Sequence, residues 1–215
     1  MYARKELQMK RQESLKDIVY QSVLNGIFTD EYKPNQIINE QELVQKFGYS
    51  KTPIREALVT LCNEGILQNF PRFGYQVVSL TREDATNILN YRLILESGYL
   101  RQTFDHLTQS NIEELEAAEE RCLAETDSLW GHWEANTNFH LKLLSFSGNS
   151  YAYSELERSM NILKRAYAQF YWQTWSNTSP AMDLAHHPDI LRSIREKNLN
   201  QALCFLKDDL ADFCV

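Results

Sequence analysis

The sequence predicts a mainly α protein, with an N-terminal winged helix-turn-helix over residues 14–79 and a C-terminal antiparallel all-helical bundle over residues 81–215. Three observations predict it. Two short helical patterns meet at a glycine turn between residues 39 and 65. Two β-prone runs then enclose Pro71-Arg72-Phe73-Gly74, a turn by composition. From Thr81 onward only helical periodicity remains, punctuated by caps and short breaks.

In chain order, residues 1–13 are polar and charged and read as a flexible arm. Asn39-Glu40-Gln41-Glu42 has the spacing of a capping box and opens a short helix carrying Leu43 and Phe47. Gly48 closes that helix where a left-handed residue is needed. The next helix starts at Ser50 and ends at Asn63 or Glu64, with Gly65 as its stop and Pro53 in the first turn, where a helix tolerates proline. Its spacing sets Arg55 opposite Ile54, Ala57 and Leu58. Such a helix packs its back on a core and points its first turn at phosphates and base edges. Ile66–Phe70 and Tyr75–Val78 then form a hairpin with a basic tip, which completes a winged helix.

The second half begins with a Thr81 cap followed by Glu83 and Asp84, acidic residues suited to a helix N-terminus. Further helices are expected over residues 108–126 and 129–146, from Asn149-Ser150 through Phe170, over 187–197 and over 200–213. Six or so helices with short links and no strand pattern indicate a bundle.

Composition narrows the function. The chain carries 22 Lys+Arg against 29 Asp+Glu, a net charge of −7. Residues 1–80 hold ten basic and nine acidic side chains, and the remainder twelve and twenty. That balance excludes charge-driven coating of nucleic acid and leaves a few placed cations to bind it. No apolar stretch approaches the roughly 20 residues of a membrane span, and no signal peptide opens the chain. Cys62, Cys122, Cys204 and Cys214 show no paired spacing. A cytoplasmic location is expected.

The bundle carries a second candidate site. Asn136 and His140 lie four apart, flanked at helical spacing by Trp133 and Leu144, on a stripe that points inward. His187 starts a helix beside Pro188, where the helix dipole favours the neutral imidazole that binds metals. Asp209 shares a face with Ala202, Leu206 and Phe213, an unfavourable place for a carboxylate without compensation. These four residues make an N₂O₂ set suited to Zn, Mn, Fe or Ni. The alternative is a pair of hydrogen-bonded interior histidines with Asp209 paired to an arginine. His132 and His186 fall outside the pattern and are expected at the surface. Spacing sets Arg92 near Glu96, as a surface ion pair of small energetic consequence. Tyr91, Tyr167, Trp172 and Trp175 read equally as cavity walls or as core.

Residues 38–58, with Glu64-Gly65-Ile66-Leu67 and Pro71-Arg72-Phe73-Gly74-Tyr75-Gln76-Val77, resemble the DNA-binding domain of the GntR family of bacterial transcription regulators. Ile18 through Gly26 to Pro34-Asn35 resembles that family's first helix and turn, with Asn35 at its usual glycine. The resemblance implies that Ser50, Lys51, Thr52 and Arg55 meet the DNA major groove, that Arg72 and Gly74 bring the wing to the backbone or minor groove, and that Gln41 contacts phosphate. Tyr91-Arg92-Leu93-Ile94-Leu95-Glu96, Asn136 to His140, Ser147-Gly148-Asn149 and His187-Pro188-Asp189-Ile190-Leu191 resemble the C-terminal effector domain of the FadR branch, the FCD domain. That resemblance implies a dimerising bundle with a small-molecule cavity, often holding a divalent metal. Its metal pattern is Asp or Asn, His four later, and two further histidines. Asn136, His140 and His187 match it, and Asp209 stands at the last position. Arg92 becomes a cavity arginine whose fork holds a carboxylate.

The expected function is a ligand-responsive repressor, not an enzyme, that binds a palindromic operator as a homodimer and responds to a small organic or sugar acid. Two alternatives stay open: the same head on an effector-blind dimerisation bundle, and a metal-dependent hydrolase with water held by His140, His187 and Asp209. No general base accompanies the latter.

Overall fold

The computed structural model describes residues 14–125, 129–175 and 186–212. The predicted arm, Cys214, Phe213 and the side chains of Trp172 and Trp175 lie outside the described residues. The chain divides into two compact units between Ser79 and Leu80.

The first unit runs α1 (Leu15–Phe28), β1 (Ile37–Ile38), α2 (Glu40–Phe47), α3 (Lys51–Asn63), β2 (Leu67–Phe70) and β3 (Gly74–Val77). Ser14 and Asp17 form a reciprocal capping box that starts α1. At α2 the cap is simpler than the sequence implied: Asn39 accepts from the Gln41 N–H, and Glu42 does not complete a box. Gly48 ends α2 in the left-handed region at φ 69°, and Asn35 turns the chain ahead of β1 at φ 65°. Ile54, Ala57, Leu58 and Leu61 bury the back of α3 against Val19 and Val23 of α1.

The sheet order is β1-β3-β2, antiparallel throughout, with Ile38 opposite Tyr75 and Leu67 opposite Val77. Strand β1, two residues long, carries no pattern in the sequence that announces it. It anchors the wing: a Cβ on Gly74 would stand 2.6 Å from the Ile38 carbonyl oxygen. Gly74 has φ 128°, so side chains are excluded there twice over.

The second unit contains α4 (Arg82–Thr103), a 3-10 turn (Phe104–His106), α5 (Gln109–Ala124), α6 (Leu129–Ser145), α7 (Ser150–Trp175), α8 (His187–Arg195) and α9 (Leu199–Asp212). Thr81 with Asp84 and Thr108 with Asn111 cap α4 and α5 reciprocally. Two apolar clusters form the interior. One joins Phe139 and Leu143 of α6 to Leu115, Ile190 and Leu206 of α5, α8 and α9. The other joins Trp133, Leu141 and Leu144 of α6 to Leu89 of α4 and Leu156 and Leu163 of α7. Helix α6 is therefore buried on two sides, and Asn136 and His140 fall at helical spacing between them. No helix among the described residues is long and apolar enough to cross a membrane.

Candidate functional site

In the first unit, Ser50 caps α3 through its extended backbone without a side-chain cap bond. Lys51, Thr52 and Arg55 stand exposed on the first turns, opposite the buried face. They line an open groove of about 620 Å³ with Glu56, Val59, Thr60 and Lys16, the last contributed by α1. Lys16 was invisible to motif reasoning, because only the packing of α1 on α3 brings it there. Arg55 donates through Nε and Nη2 to the Glu40 carboxylate, at 3.1 and 3.2 Å. Gln41 lies exposed in the first turn of α2. At the wing tip, Arg72 adopts φ 74°, a conformation uncommon for a residue with a Cβ.

The second unit places three of the four predicted metal-ligand residues around one buried point. The ligand atoms of His140, His187 and Asp209 lie within 4.8 Å of one another. Asp209 Oδ2 is 3.2 Å from His140 Nε2, and Oδ1 is 3.5 Å from His187 Nε2. Asn136 is buried one turn ahead of His140 on α6. Each histidine is oriented from behind by a carboxylate: His140 Nδ1 lies 2.7 Å from Glu96 Oε2, and His187 Nδ1 2.7 Å from Glu119 Oε2. An ionised carboxylate only accepts, so each Nδ1 carries the proton and each Nε2 faces Asp209. Phe139 stacks on the His187 ring at 3.7 Å between centroids and holds its plane.

Arg92 is also interior. Its side chain is fully buried, donating from Nε to Glu96 Oε1 at 2.9 Å, which corrects the surface pair that its spacing implied. Both Nη atoms are buried without a hydrogen-bond partner among the described residues. Burial disfavours ionisation of Glu96, yet the Arg92 guanidinium and His140 beside it hold the carboxyl down, to about 2. Burial likewise opposes protonation of His140, but Glu96, together with Asp209 at the far nitrogen, raises the imidazole to about 9.

The donor set fits a divalent cation. His140 Nε2, His187 Nε2 and both Asp209 oxygens are buried without an aligned hydrogen-bond partner among the described residues. Several lone-pair donors pointing at one dry spot are unfavourable unless a cation or proton lies between them. Three buried carboxyl groups, Glu96, Glu119 and Asp209, stand against the two imidazoles, a local concentration of negative charge that a divalent ion offsets. Carboxylates behind both histidines are the usual outer support of a metal site.

Spacing alone did not single out Glu96 as this support, nor Glu119, one of several glutamates on α5. His132 is buried, contrary to expectation; its place one turn before Asn136 on the same face was the overlooked signal. His186 is half-buried. Tyr91 is exposed rather than a cavity wall, and Tyr167 is core, packed 5.1 Å from Trp133.

A winged helix with a cationic recognition helix, joined to a helical domain, defines a DNA-binding transcription regulator. Residues 15–77 match the family described as bacterial regulatory proteins, gntR family, and residues 87–212 match the FCD domain. The chain belongs to the GntR family of bacterial regulatory proteins and carries the FCD effector-binding domain. It is 27% identical over 190 residues to the HTH-type transcriptional regulator YdhC of Bacillus subtilis, covering 85% of this chain and 82% of that protein. It is 24% identical over 196 residues to the HTH-type transcriptional repressor RspR of Escherichia coli, covering 90% and 84%. Among solved structures, Escherichia coli McbR/YncC shares the fold at a TM-score of 0.67 and 19% identity, over 92% of this chain and 94% of that one. Lar, which controls expression of the Listeria monocytogenes agr system, does so at 0.69 and 19%, over 94% and 95%.

Proposed function

We propose that this chain is a metal-containing, carboxylate-responsive repressor that binds a palindromic operator as a homodimer. The observation that carries the reading is the buried convergence of His140, His187 and Asp209, backed by Glu96 and Glu119, beside a guanidinium with two unengaged nitrogens. Asn136, His140, His187 and Asp209 hold a divalent ion of the Zn, Ni, Mn or Fe type. Bound there, the ion supplies an electrophilic anchor for a chelating oxygen. Arg92 offers its Nη edge to a second oxygen of the same ligand, a small organic or sugar acid.

On the DNA side, Ser50, Lys51, Thr52 and Arg55 occupy the major groove, Gln41 meets phosphate, and Arg72 and Gly74 carry the wing to the backbone or minor groove. The near-neutral head makes few phosphate contacts alone, and two copies on one site double them. The exposed Tyr91 and Ile94 of α4 and Tyr151 of α7 give the second unit an apolar face for a second copy. Repression follows the description of the relative RspR. Ligand binding in the bundle alters the spacing of the two heads, which must dock half-sites about 34 Å apart. A thermal-shift screen of metal-loaded protein tests the ligand class. Stabilisation by hydroxy-acids and sugar acids, lost in Arg92→Gln, is expected; preference for amines or neutral aromatics contradicts it.

A further inference from the structure

We propose that Glu40 is a positioning residue for DNA reading, holding Arg55 by one edge so that its other edge is presented to a guanine. This rests on the reading of α3 as the recognition helix and adds a residue from a different element.

The geometry is specific. Glu40 lies in the first turn of α2, directly after the Asn39 cap, and its side chain is 17% exposed, against 64% for Arg55. The carboxylate is the more buried half of the pair and the guanidinium the more exposed. Glu40 Oε2 accepts from Arg55 Nε at 3.1 Å, and Oε1 accepts from Nη2 at 3.2 Å. A guanidinium has five N–H groups in one plane, and this grip uses two of them. The end formed by Nη1 and the outer N–H of Nη2 remains, and that pair matches the O6 and N7 acceptors of guanine. An exposed ion pair contributes little to stability. Its consequence is conformational, because a long side chain that would sample many rotamers is confined before DNA arrives.

Charge alone makes the opposite prediction. A carboxylate beside the phosphate backbone repels DNA, so its removal should tighten binding to every sequence. The two accounts therefore differ in sign. The probe is a duplex enriched from a randomised library by the wild-type protein, with each base then varied. Binding is measured by fluorescence anisotropy across a salt series, for Glu40→Gln, Glu40→Ala, Arg55→Ala and the Glu40→Ala/Arg55→Ala double variant. Melting curves verify folding, and Glu40→Gln, which keeps the side chain's size and one acceptor, carries the comparison should Glu40→Ala unfold.

Glu40→Ala is expected to weaken binding roughly tenfold, within the range of one lost base contact. The loss should fall at the base position that Arg55→Ala also blurs, with Glu40→Gln intermediate, and should vanish in the Arg55→Ala background. Equal or tighter binding by Glu40→Ala, uniform over sequence, overturns the inference while leaving the recognition helix in place. An Arg55→Ala variant with unchanged affinity and base preference, or a library that yields no enriched sequence, overturns the reading of α3 itself and this inference with it.

Discussion

Glu96 accepts from Arg92 on one oxygen and from His140 on the other, so a single buried carboxylate couples the candidate anion-binding arginine to the candidate metal ligand. Replacing Glu96 with Gln leaves an acceptor but no charge, and outer carboxylates of this kind typically contribute about 10–100-fold to metal affinity. A loss of that size in a competition titration is expected; unchanged affinity would place Glu96 outside the site. The same coupling sets a pH dependence. His140 is raised from 6.5 to about 9, so its contribution to stability is full below about 6.5 and lost as the pH climbs through 9. Glu96 is lowered from 4.5 to about 2, so its contribution is present above about 4.5 and lost as the pH falls through 2. Chelator-treated protein should therefore lose thermal stability between about pH 6.5 and 9. Metal uptake at neutral pH should release the proton on His140 Nε2, since a ligating nitrogen must be bare. Calorimetry in buffers of different ionisation heat measures that release, and its absence would place the metal elsewhere.

At the scale of elements, the wing depends on a contact that the sequence did not announce. Gly74→Ala forces a Cβ against the Ile38 carbonyl and a strained φ together, and should cost about 1–3 kcal/mol in chemical denaturation. No loss of stability would show that β1 and β3 separate freely. What was legible followed local rules. Gly48, Gly65 and Asn35 all take the positive φ that their turns require, and a residue's own chemistry dictates that. The back face of α3 was readable because one stripe of it is buried. Strand β1 was not, because Ile37-Ile38 is too short to show any period and exists only through its pairing with β3. Glu119 was hidden among Glu113, Glu114, Glu116 and Glu120, and only the approach of α8 distinguishes it. Arg92 illustrates the opposite error: the i, i+4 pairing with Glu96 was correct, but spacing cannot tell a solvated face from one covered by other helices.

The whole molecule joins two chemistries, a head with placed cations and a bundle with a buried donor set. A homodimer through the outer face of α4 predicts that Ile94→Asp gives a monomer in light scattering and weakens binding to a two-half-site duplex far more than to a single half-site. An unchanged dimer would move the interface elsewhere. Lys51→Ala should weaken operator binding about evenly across sequences if it meets phosphate, and reduce the salt slope by about 1; an unchanged slope would exclude that contact. The most direct measurement is elemental analysis of the purified protein beside its His140→Ala and His187→Ala variants, after dialysis with each candidate divalent ion. About one metal per chain, lost in both variants, is the predicted result for a single closed site. Wild-type protein that retains no metal after loading, or variants that retain it in full, would contradict the account.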